Sequence, residues 1–451
     1  MRNVSATRRQ FLLQASAASA ILAQKPRNTR PNVLLITSTD LSAWMLGIYG
    51  NQEFHTPNID RLARGGVRFT NAYACTPADS PSRATLFTGR TPFQHGVQES
   101  LSPQAAAPPS LGREPLLSDL LAAQGYHCGF AGAWGLGGDQ NPQHKFDSWC
   151  ATLGAGYRNP RLSVNGQTAE ESGYLPDVIT RKANEFLDAQ RPGQPFFLTV
   201  SYPNPAAPYD GHPQKYYDLY AGSKFDAAGW DRPSAAAATG KEYLANPVAS
   251  IRKCAAGVTA LDDQIPALIA KLTGRGLRDD TLVILTSTNG NLLGRHGLWG
   301  DGRASEPVNM YDEVVKVPLI WNWPGRTPVE AMRPELVSLY DVVPSVCEAA
   351  SVSAPAANLC GRSMLPLATG RPLPKKEPWR TSLYGMFRNT FMARDTRYKL
   401  VYRDDGKGAC ELFDLRGDMR EKLNQYSNPQ FVTVRDRLVA DLSNWRAKYA
   451  R

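Results

Sequence analysis

Two apolar segments that each end in polar residues constrain the fold most strongly. Val33–Thr37 is followed closely by Asp40, and Asp280–Thr286 is followed closely by Asn289. Continuous apolar runs of this length indicate strands that are buried on both faces of a parallel sheet. The carboxyl ends of parallel strands meet at one edge of the sheet, where α/β proteins place their sites. We therefore expect an α/β fold with a functional site at these polar ends.

Further helix and strand signals alternate along the chain. Thr56 and Ser80 are predicted helix caps, because each precedes a proline at a first helical position. Other helices are predicted over residues 115–124, 179–190 and 250–272, and strands over 126–130, 195–200 and 317–321. This alternation indicates a central sheet layered between helices. The stretch 202–246, rich in Ala, Pro, Gly and Tyr, is predicted to be a loop excursion over the sheet.

The pattern of predicted secondary structure changes near residue 355. Short antiparallel strands are predicted over 381–384, 398–402 and 411–413, and a closing helix over 431–448. The closing helix carries Leu438, Leu442 and Trp445 on one side, which we expect to be buried. The chain is therefore predicted to contain a main domain over residues 31–354 and a smaller α+β subdomain over 355–451.

The N-terminal segment has the layout of an export signal. The chain has 51 Lys and Arg against 41 Asp and Glu, a net charge of +10, and six of these cations lie in residues 1–30 beside no acid. Arg8-Arg9 precedes an apolar, small-residue stretch that is too short to span a bilayer. Residues 1–24 are predicted to be a cleaved signal peptide of the twin-arginine type. A short buried helix, or a lipid-attached or uncleaved anchor, is the alternative.

Six signatures follow one another from Pro31 almost to the C-terminus. They are TDLSAWMLGIYGN, HTPNIDRLA, SPSRATLFTG, TLVILTSTNG with GRHGLW, VKVPLIWNWPG, and RYKLVYRDDG with CELFDLRGD. In this order and spacing they make the chain resemble the sulfatase family, within the alkaline-phosphatase superfamily. The resemblance implies an alkaline-phosphatase-like layered sandwich, with a central mixed sheet between helices and a smaller C-terminal α+β subdomain.

The resemblance also implies a chemistry, the hydrolysis of sulfuric esters. The family's nucleophile is a formylglycine made from Cys or Ser in the pattern [C/S]-x-P-x-R. It ligates a divalent cation, usually calcium, together with three Asp and one Asn, His or Gln. Two Lys and two His neutralise the sulfate and protonate the leaving group. Metal and cations offset the developing negative charge, and His works near neutral pH as acid or base.

This sequence departs from that pattern at its most important positions. Pro81 and Arg83 fix the register of the nucleophile motif and place Asp79 where Cys or Ser belongs, so no formylglycine is expected. The other family groups are replaced by residues of different chemistry: Thr39 and Thr288 for Asp, Ala133 and Asp301 for Lys, and Gly135 and Ala206 for His. Asp40, Arg83, Asn289 and His296 remain of the usual set.

Each retained residue has a functional and a structural interpretation. Asp79, Arg83 and His296 are the candidate catalytic residues, and Asp40, Asp79 and Asn289 could still hold a hard cation such as Ca²⁺ through oxygen ligands. Alternatively, Asp79 caps the helix that starts near Pro81, Arg83 holds Asp79, and His296 is a hydrogen-bonded structural residue. The depleted ligand set leaves the retention of metal open.

Two functions remain after these departures. The first is an exported, periplasmic or extracellular, sulfatase-like protein without ordinary catalysis, whose partner is a sulfated or phosphorylated small molecule or glycan. A sulfate beside Asp79 would be repelled, since two unit charges about 4 Å apart at an effective dielectric of 20 repel by roughly 4 kcal/mol. The alternative is an active metal-dependent hydrolase of sulfate or phosphate esters that uses Asp79 as a covalent nucleophile. No motif indicates nucleic-acid binding, and no membrane span is expected once the signal is removed.

Overall fold

The computed structural model describes residues 30–355 and 358–449. The predicted signal peptide, residues 1–24, lies outside the described residues. Within them, no helix is both long enough and apolar enough to cross a membrane.

A mixed sheet of ten strands forms the centre of the described residues. Its strands are β1 (Asn32–Thr39), β2 (Val67–Tyr73), β3 (His127–Gly132), β4 (Ser148–Thr152), β5 (Arg161–Val164), β6 (Gln167–Glu170), β7 (Phe196–Pro205), β8 (Thr281–Ser287), β9 (Leu319–Asn322) and β10 (Ala331–Ser338). Their order across the sheet is β10-β2-β9-β8-β1-β7-β3-β4-β5-β6. β8, β1, β7, β3 and β4 run parallel, while β9, β5 and β6 introduce antiparallel pairs. The prediction of a central mixed sheet is confirmed.

The pairing of β1 with β8 brings the two predicted polar ends together. Thr37 lies opposite Thr286, and Ser38 lies opposite Ser287. Since the strands are parallel and in register, the residues that follow them leave the sheet at the same edge. Both strands are fully buried along their length, as their continuous apolar sequences predict.

Helices cover both faces of this sheet. They are α1 (Pro57–Arg64), α2 (Asp79–Thr88), α3 (Pro92–His95), α4 (Leu117–Ala122), α5 (Leu175–Asp188), α6 (Gln214–Asp218), α7 (Lys241–Leu244), α8 (Pro247–Asp262), α9 (Ile265–Gly274), α10 (Asp312–Val315), α11 (Val342–Ala350) and α12 (Leu365–Thr369). Along β1 the side chains alternate between two cores: Leu34 packs with α1, α5, α8 and α9, and Leu35 packs with α2, α4 and α11. This is the predicted layered sandwich.

Three local predictions are wrong. The helix expected over 250–272 is two helices, because Pro266 cannot continue the hydrogen-bond ladder of α8. The Thr56 side chain does not cap α1; Asp262 accepts hydrogen bonds from the first backbone N–H groups of that helix instead. Ser80 does not cap α2, since the helix already begins at Asp79 and the Ser80 hydroxyl accepts from the Leu101 N–H.

A second, four-stranded antiparallel sheet lies near the C-terminus. It consists of β11 (Leu383–Phe387), β12 (Thr390–Arg394), β13 (Tyr398–Arg403) and β14 (Glu411–Asp414), and α13 (Val432–Tyr449) packs against it. Leu438, Leu442 and Trp445 of this helix are buried, as predicted. The domain boundaries, 31–354 and 355–451, stay a prediction.

Candidate functional site

Asp79 occupies the centre of the candidate site. It is the first residue of α2, with Ala78 at the cap position, so the interpretation of Asp79 as a helix cap is wrong. Its Oδ1 accepts a hydrogen bond of 2.6 Å from the Thr288 hydroxyl and one of 2.9 Å from Nη2 of Arg83. The Thr39 hydroxyl lies 3.5 Å from the same oxygen. Thr39 and Thr288, predicted to replace two ligating Asp of the family, therefore hold Asp79 through their hydroxyl groups.

Arg83 lies one helical turn after Asp79 and is fully buried. Its Nη1 donates to the Ser201 hydroxyl at 2.6 Å, and its Nη2 also donates to the Thr39 hydroxyl at 3.1 Å. The interpretation of Arg83 as the residue that holds Asp79 agrees with these contacts. Because a buried cation needs a partner, the Arg83–Asp79 pair fixes the start of α2 against the sheet edge.

Asp40 and Asn289 form the second part of the site. The Nδ2 group of Asn289 donates to Asp40 Oδ1 at 2.6 Å, and Nδ2 of Asn291 lies 3.4 Å from Oδ2. Burial, and then the negative charges of Asp301 and Asp79, raise the pKa of Asp40 to about 7, although the Asn289 hydrogen bond lowers it. Asp40 is therefore a carboxyl group without enough nearby positive charge to hold it fully ionised at neutral pH.

Asp301, predicted from the sequence to align with a family Lys, has its own cation. Arg303 donates through Nε to both oxygens of Asp301, at 3.0 and 3.1 Å, and through Nη2 to Oδ2 at 2.6 Å. The Arg303 N–H also donates to Asp301. The alignment at position 301 alone suggests that a positive charge has been replaced by a negative one. However, the guanidinium of Arg303 pairs with the Asp301 carboxylate, so the net charge of the two side chains is zero.

A pocket of about 500 Å³ opens beside Asp79. Gly135, at the position of one family His, lines it with a left-handed φ of +66°. Asp139 lines it too and is 1% exposed. Oδ2 of Asp139 accepts the Gly135 N–H at 3.3 Å, and the backbone N–H groups of Gly137 and Asp139 also lie against this carboxyl and lower its pKa. Burial raises the pKa of Asp139 to about 6. Sequence analysis missed Asp139, because it follows no strand and belongs to none of the six signatures.

His296 belongs to a separate group of contacts. Its ring stacks on Tyr311 with centroids 3.6 Å apart and planes 8° apart, and its Nε2 lies 3.4 Å from Oε2 of Glu313. Its backbone N–H donates to Asp231. No hydrogen bond within the described residues joins His296 to Asp40, Asp79 or Asn289. Of the five predicted site residues, the structure brings four together and leaves His296 apart.

The oxygen groups at this edge fit a divalent cation poorly. Ca²⁺ takes six to eight oxygen ligands, with carboxylates supplying the charge. Here the Thr288 hydroxyl donates to Oδ1 of Asp79, and Nδ2 of Asn289 donates to Oδ1 of Asp40. One oxygen of each carboxylate is therefore occupied by a protein donor, Arg83 already balances Asp79, and few oxygens remain for a cage of six to eight ligands. The part of the chain that the structure describes contains no group of three or more His, Cys, Asp or Glu suited to a metal.

A mixed sheet between helices, with a site on the carboxyl ends of its parallel strands, defines an alkaline-phosphatase-like α/β protein. The family model described as Sulfatase matches residues 31–352, and the model described as N-sulphoglucosamine sulphohydrolase, C-terminal, matches residues 294–448. The chain belongs to the sulfatase family, whose members bind a divalent metal.

The relatives and solved structures that resemble this chain agree with the family. An N-acetylglucosamine-6-O-sulfatase of Bacteroides thetaiotaomicron is 24% identical, with 97% of this chain and 90% of the relative covered. An ulvan-active sulfatase of Formosa agariphila is 25% identical, with coverages of 93% and 82%. The structure of a protein in complex with its substrate D-glucosamine-2-N,6-O-disulfate has a TM-score of 0.82 at 22% identity, covering 93% of this chain and 98% of the other. This last likeness concerns the fold alone.

Proposed function

We propose that this chain is an exported, non-catalytic member of the sulfatase family that binds a saccharide at the pocket beside Asp79. The observation that carries the proposal is the engagement of Asp79. Its Oδ1 is held by Thr288 and Arg83, in the place where the family needs a formylglycine bound to metal. A carboxylate there cannot be converted to formylglycine, and the Asp40–Asn289–Thr288 hydrogen bonds favour a closed polar network over a metal cage.

The absence of the family's cationic and proton-donating groups supports the same conclusion. Ala133 and Gly135 provide neither the ammonium nor the imidazole of the family's pattern, and Arg303 is committed to Asp301. Loss of one donor that stabilises a developing oxyanion typically costs about 100- to 1,000-fold in rate. The separate losses do not simply add, because residues that act as a unit are non-additive. Each loss alone would lower the rate by about that factor, and several occur together here.

The names of the relatives and the size of the pocket support a saccharide as ligand. The two relatives named above act, by their printed names, on N-acetylglucosamine 6-O-sulfate groups and on ulvan. A pocket of about 500 Å³ lies within the usual range for small-molecule sites, roughly 300–1,000 Å³. Tyr157 lines one side of it and offers an aromatic ring.

The test of non-catalysis is an activity comparison with a matched variant. Purified wild-type protein and Asp79→Ala are incubated with 4-nitrophenyl sulfate, 4-nitrophenyl phosphate and N-acetylglucosamine 6-sulfate, with Ca²⁺, Mg²⁺ or Mn²⁺ added or removed. We expect release of nitrophenol and sulfate to be the same in both proteins and at background. Turnover by the wild type that Asp79→Ala abolishes would overturn the proposal.

One observation favours a second candidate, a changed hydrolase. The hydrogen bonds of Asp79 with the described residues fall on Oδ1, and the side chain, one quarter exposed, lines the pocket. Oδ2 could attack phosphorus to form an acyl phosphate, as the bond to the departing oxygen breaks and that oxygen takes a proton from water. Acid-quenched mass spectrometry after exposure to a phosphate ester distinguishes the two: a phosphorylated Asp79 peptide supports the hydrolase, and its absence together with absent turnover excludes it.

Export is proposed on the N-terminal sequence. Arg8-Arg9 ahead of an apolar, small-residue stretch supports recognition of a folded protein by a twin-arginine pathway. The paired substitution Arg8→Lys with Arg9→Lys keeps the charge and removes the guanidinium pair. We expect the wild type to reach the periplasm with residues 1–24 removed and the double variant to stay in the cytoplasm at full length. N-terminal mass spectrometry of both fractions decides this.

A further inference from the structure

A second pocket, of about 470 Å³, lies against β2 and the edge strand β10 and shares no residue with the pocket of the candidate site. Arg68 and Thr70 of β2 and Met332 of β10 line it from the sheet, where Arg68 and Met332 are paired across the two strands. Lys316 and the segment 43–50, which follows β1, supply the rest of the lining. The volume falls in the usual range of small-molecule sites, roughly 300–1,000 Å³, so this pocket is large enough for a ligand of its own.

The charged side chains that line this second pocket are both cations. They are Arg68 and Lys316, and no Asp or Glu of the described chain lines the pocket. Neither side chain forms a hydrogen bond or an ion pair within residues 30–355 and 358–449. Both are partly exposed, and neither Nζ of Lys316 nor a guanidinium nitrogen of Arg68 is enclosed by protein. A ligand that enters the pocket therefore meets two cations that have no counter-charge there.

The ammonium group of Lys316 is held at a partly buried position without an acceptor. Burial lowers the pKa of Lys316, and the attraction of Asp312 does not fully offset this. The carboxylate of Asp312 is engaged by other groups: Oδ1 accepts from Lys399, and Oδ2 accepts from Arg394 and from the Tyr73 hydroxyl. An anion that enters the pocket from solvent would supply the counter-charge that the described part of the chain does not give to Lys316.

The guanidinium group of Arg68 favours a carboxylate as that anion. Its planar fork of N–H donors matches the two oxygens of a carboxylate in parallel hydrogen bonds. Arg68 also lies near the aromatic part of the pocket: burial raises the pKa of Tyr49, and the positive charge of Arg68 is among the effects that lower it. A carboxylate held by Arg68 would therefore place the rest of its molecule beside an aromatic side chain.

Four apolar or aromatic side chains line the pocket together with the two cations: Trp44, Ile48, Tyr49 and Met332. Met332 is 54% exposed, so a ligand that covers it buries apolar area. Aromatic rings pack favourably against other rings and against the thioether of methionine. We propose that this second pocket binds a small aromatic carboxylate. Its charge pairs with Lys316 and Arg68, and its ring packs against Trp44 and Met332. This site is separate from the proposed saccharide site and does not depend on it.

The first arm of the test uses wild-type protein and matched small molecules. Benzoate, 2-naphthoate and indole-3-acetate are each compared with the corresponding uncharged amide, and acetate serves as the carboxylate without a ring. Binding is measured by isothermal titration calorimetry and by saturation-transfer NMR. For at least one of the three acids we expect binding at least tenfold tighter than that of its amide and of acetate. Added salt should weaken the binding of that acid, because ions screen the attraction between charges.

The second arm removes the cations one at a time. Lys316→Gln and Arg68→Gln should each weaken binding of the acid at least tenfold. Arg64→Gln is the matched control, because Arg64 is an exposed arginine at the end of α1 that does not line the pocket; it should keep wild-type affinity. Since neither Lys316 nor Arg68 holds a hydrogen bond in the described residues, both pocket variants should keep at least the wild-type urea midpoint, whereas a purely structural role predicts a lower one.

The outcomes decide the inference without reference to catalysis. Equal binding of each acid and its amide, or binding of none of the three acids, would overturn it. So would a lower urea midpoint of the pocket variants with unchanged affinity for the acid, or an equal loss of affinity in Arg64→Gln, which would indicate attraction to the general positive charge of the protein. The comparison of each acid with its amide needs no variant, so a poorly folded Lys316→Gln protein does not prevent a decision. None of these results changes the expectation for turnover at Asp79.

Discussion

The substitution Asp79→Ala tests whether this carboxylate is a structural part of the site. In an active site built for a cation, a carboxylate without its metal is strained, and its removal stabilises the fold. Here the opposite is expected, because Asp79 is the counter-charge of the fully buried Arg83 and accepts from the buried hydroxyl of Thr288. Alanine would leave Arg83 with two neutral partners, the hydroxyls of Ser201 and Thr39.

The size of the effect follows from these contacts. A hydrogen bond to a charged group contributes about 1.5–3 kcal/mol, and loss of one partner of a buried ion pair costs about 3–5 kcal/mol. Two facts make the expected loss of stability smaller than these two values together: the Asp79 side chain is 25% exposed, and its charge disfavours the ionised form of Asp40. We expect the free energy of unfolding to fall by about 2–4 kcal/mol for Asp79→Ala. Asp79→Asn keeps an acceptor for Thr288 and should lose about half of that.

Urea denaturation at neutral pH, followed by tryptophan fluorescence and circular dichroism, measures the change. The slope of the unfolding free energy against urea should be unchanged, so that a lower midpoint reports stability alone. Asp218→Ala, on the exposed side of α6, is the control and should stay within about 0.5 kcal/mol of wild type. An unchanged or higher midpoint for both Asp79 variants would refute the structural role and point to a strained, ligand-dependent carboxylate.

Three further predictions concern the pocket, the nucleophile position and the metal. The pKa of Asp139 is raised to about 6 in the folded state and is near 3.8 in the unfolded chain. Ionisation of Asp139 therefore destabilises the folded state, by an amount that increases from pH 3.8 to pH 6 and is constant above pH 6. Asp139→Asn should therefore raise the free energy of unfolding by about 1 kcal/mol or more at pH 8, seen as a higher urea midpoint, and by much less at pH 4; equal effects at both pH values would contradict this. Asp79→Cys completes the Cys-x-Pro-x-Arg spacing, yet even after conversion to formylglycine, checked by mass spectrometry, it should give no sulfatase turnover, since Ala133 and Gly135 supply no acid or cation. Addition of Ca²⁺ or of EDTA should not move the urea midpoint, whereas a metal present at 100 times its dissociation constant would add about 2.7 kcal/mol.

The parallel core of the fold could be predicted because its strands are apolar without interruption. β1 and β8 stand out in the sequence, and so does α13 with its buried Leu438, Leu442 and Trp445. Strands with mixed burial were missed: β2 mixes buried and partly exposed residues, β10 is exposed or partly exposed in its first five residues and buried in its last three, and β5 and β6 are four residues each. Short, half-exposed strands have no strong periodic signal, so their pairing depends on tertiary contacts.

The candidate site could be predicted where it lies at strand ends and not where it depends on loops. Asp40 and Asn289 follow buried strands, and Asp79 follows from the register of Pro81 and Arg83. Asp139 lies on a loop at the pocket and accepts a hydrogen bond from the Gly135 N–H. No sequence pattern predicts this contact. His296 was expected at the site from the resemblance, and its stacking on Tyr311 could be found only from the coordinates.

The hydrogen bonds of Arg303 to Asp301 couple the charges at these two positions. A single Asp301→Lys substitution would set a new ammonium against a guanidinium that has lost its acceptor, at a place where the two now share four hydrogen bonds. The reverse order, loss of Arg303 first, would leave the carboxylate of Asp301 beside Asp40 and Asp79 with no cation of its own. Either single substitution changes the charge balance that now exists between the two side chains. Since Asp301 raises the pKa of Asp40 and Arg303 lowers it, a change at either position also alters the charge that Asp40 experiences.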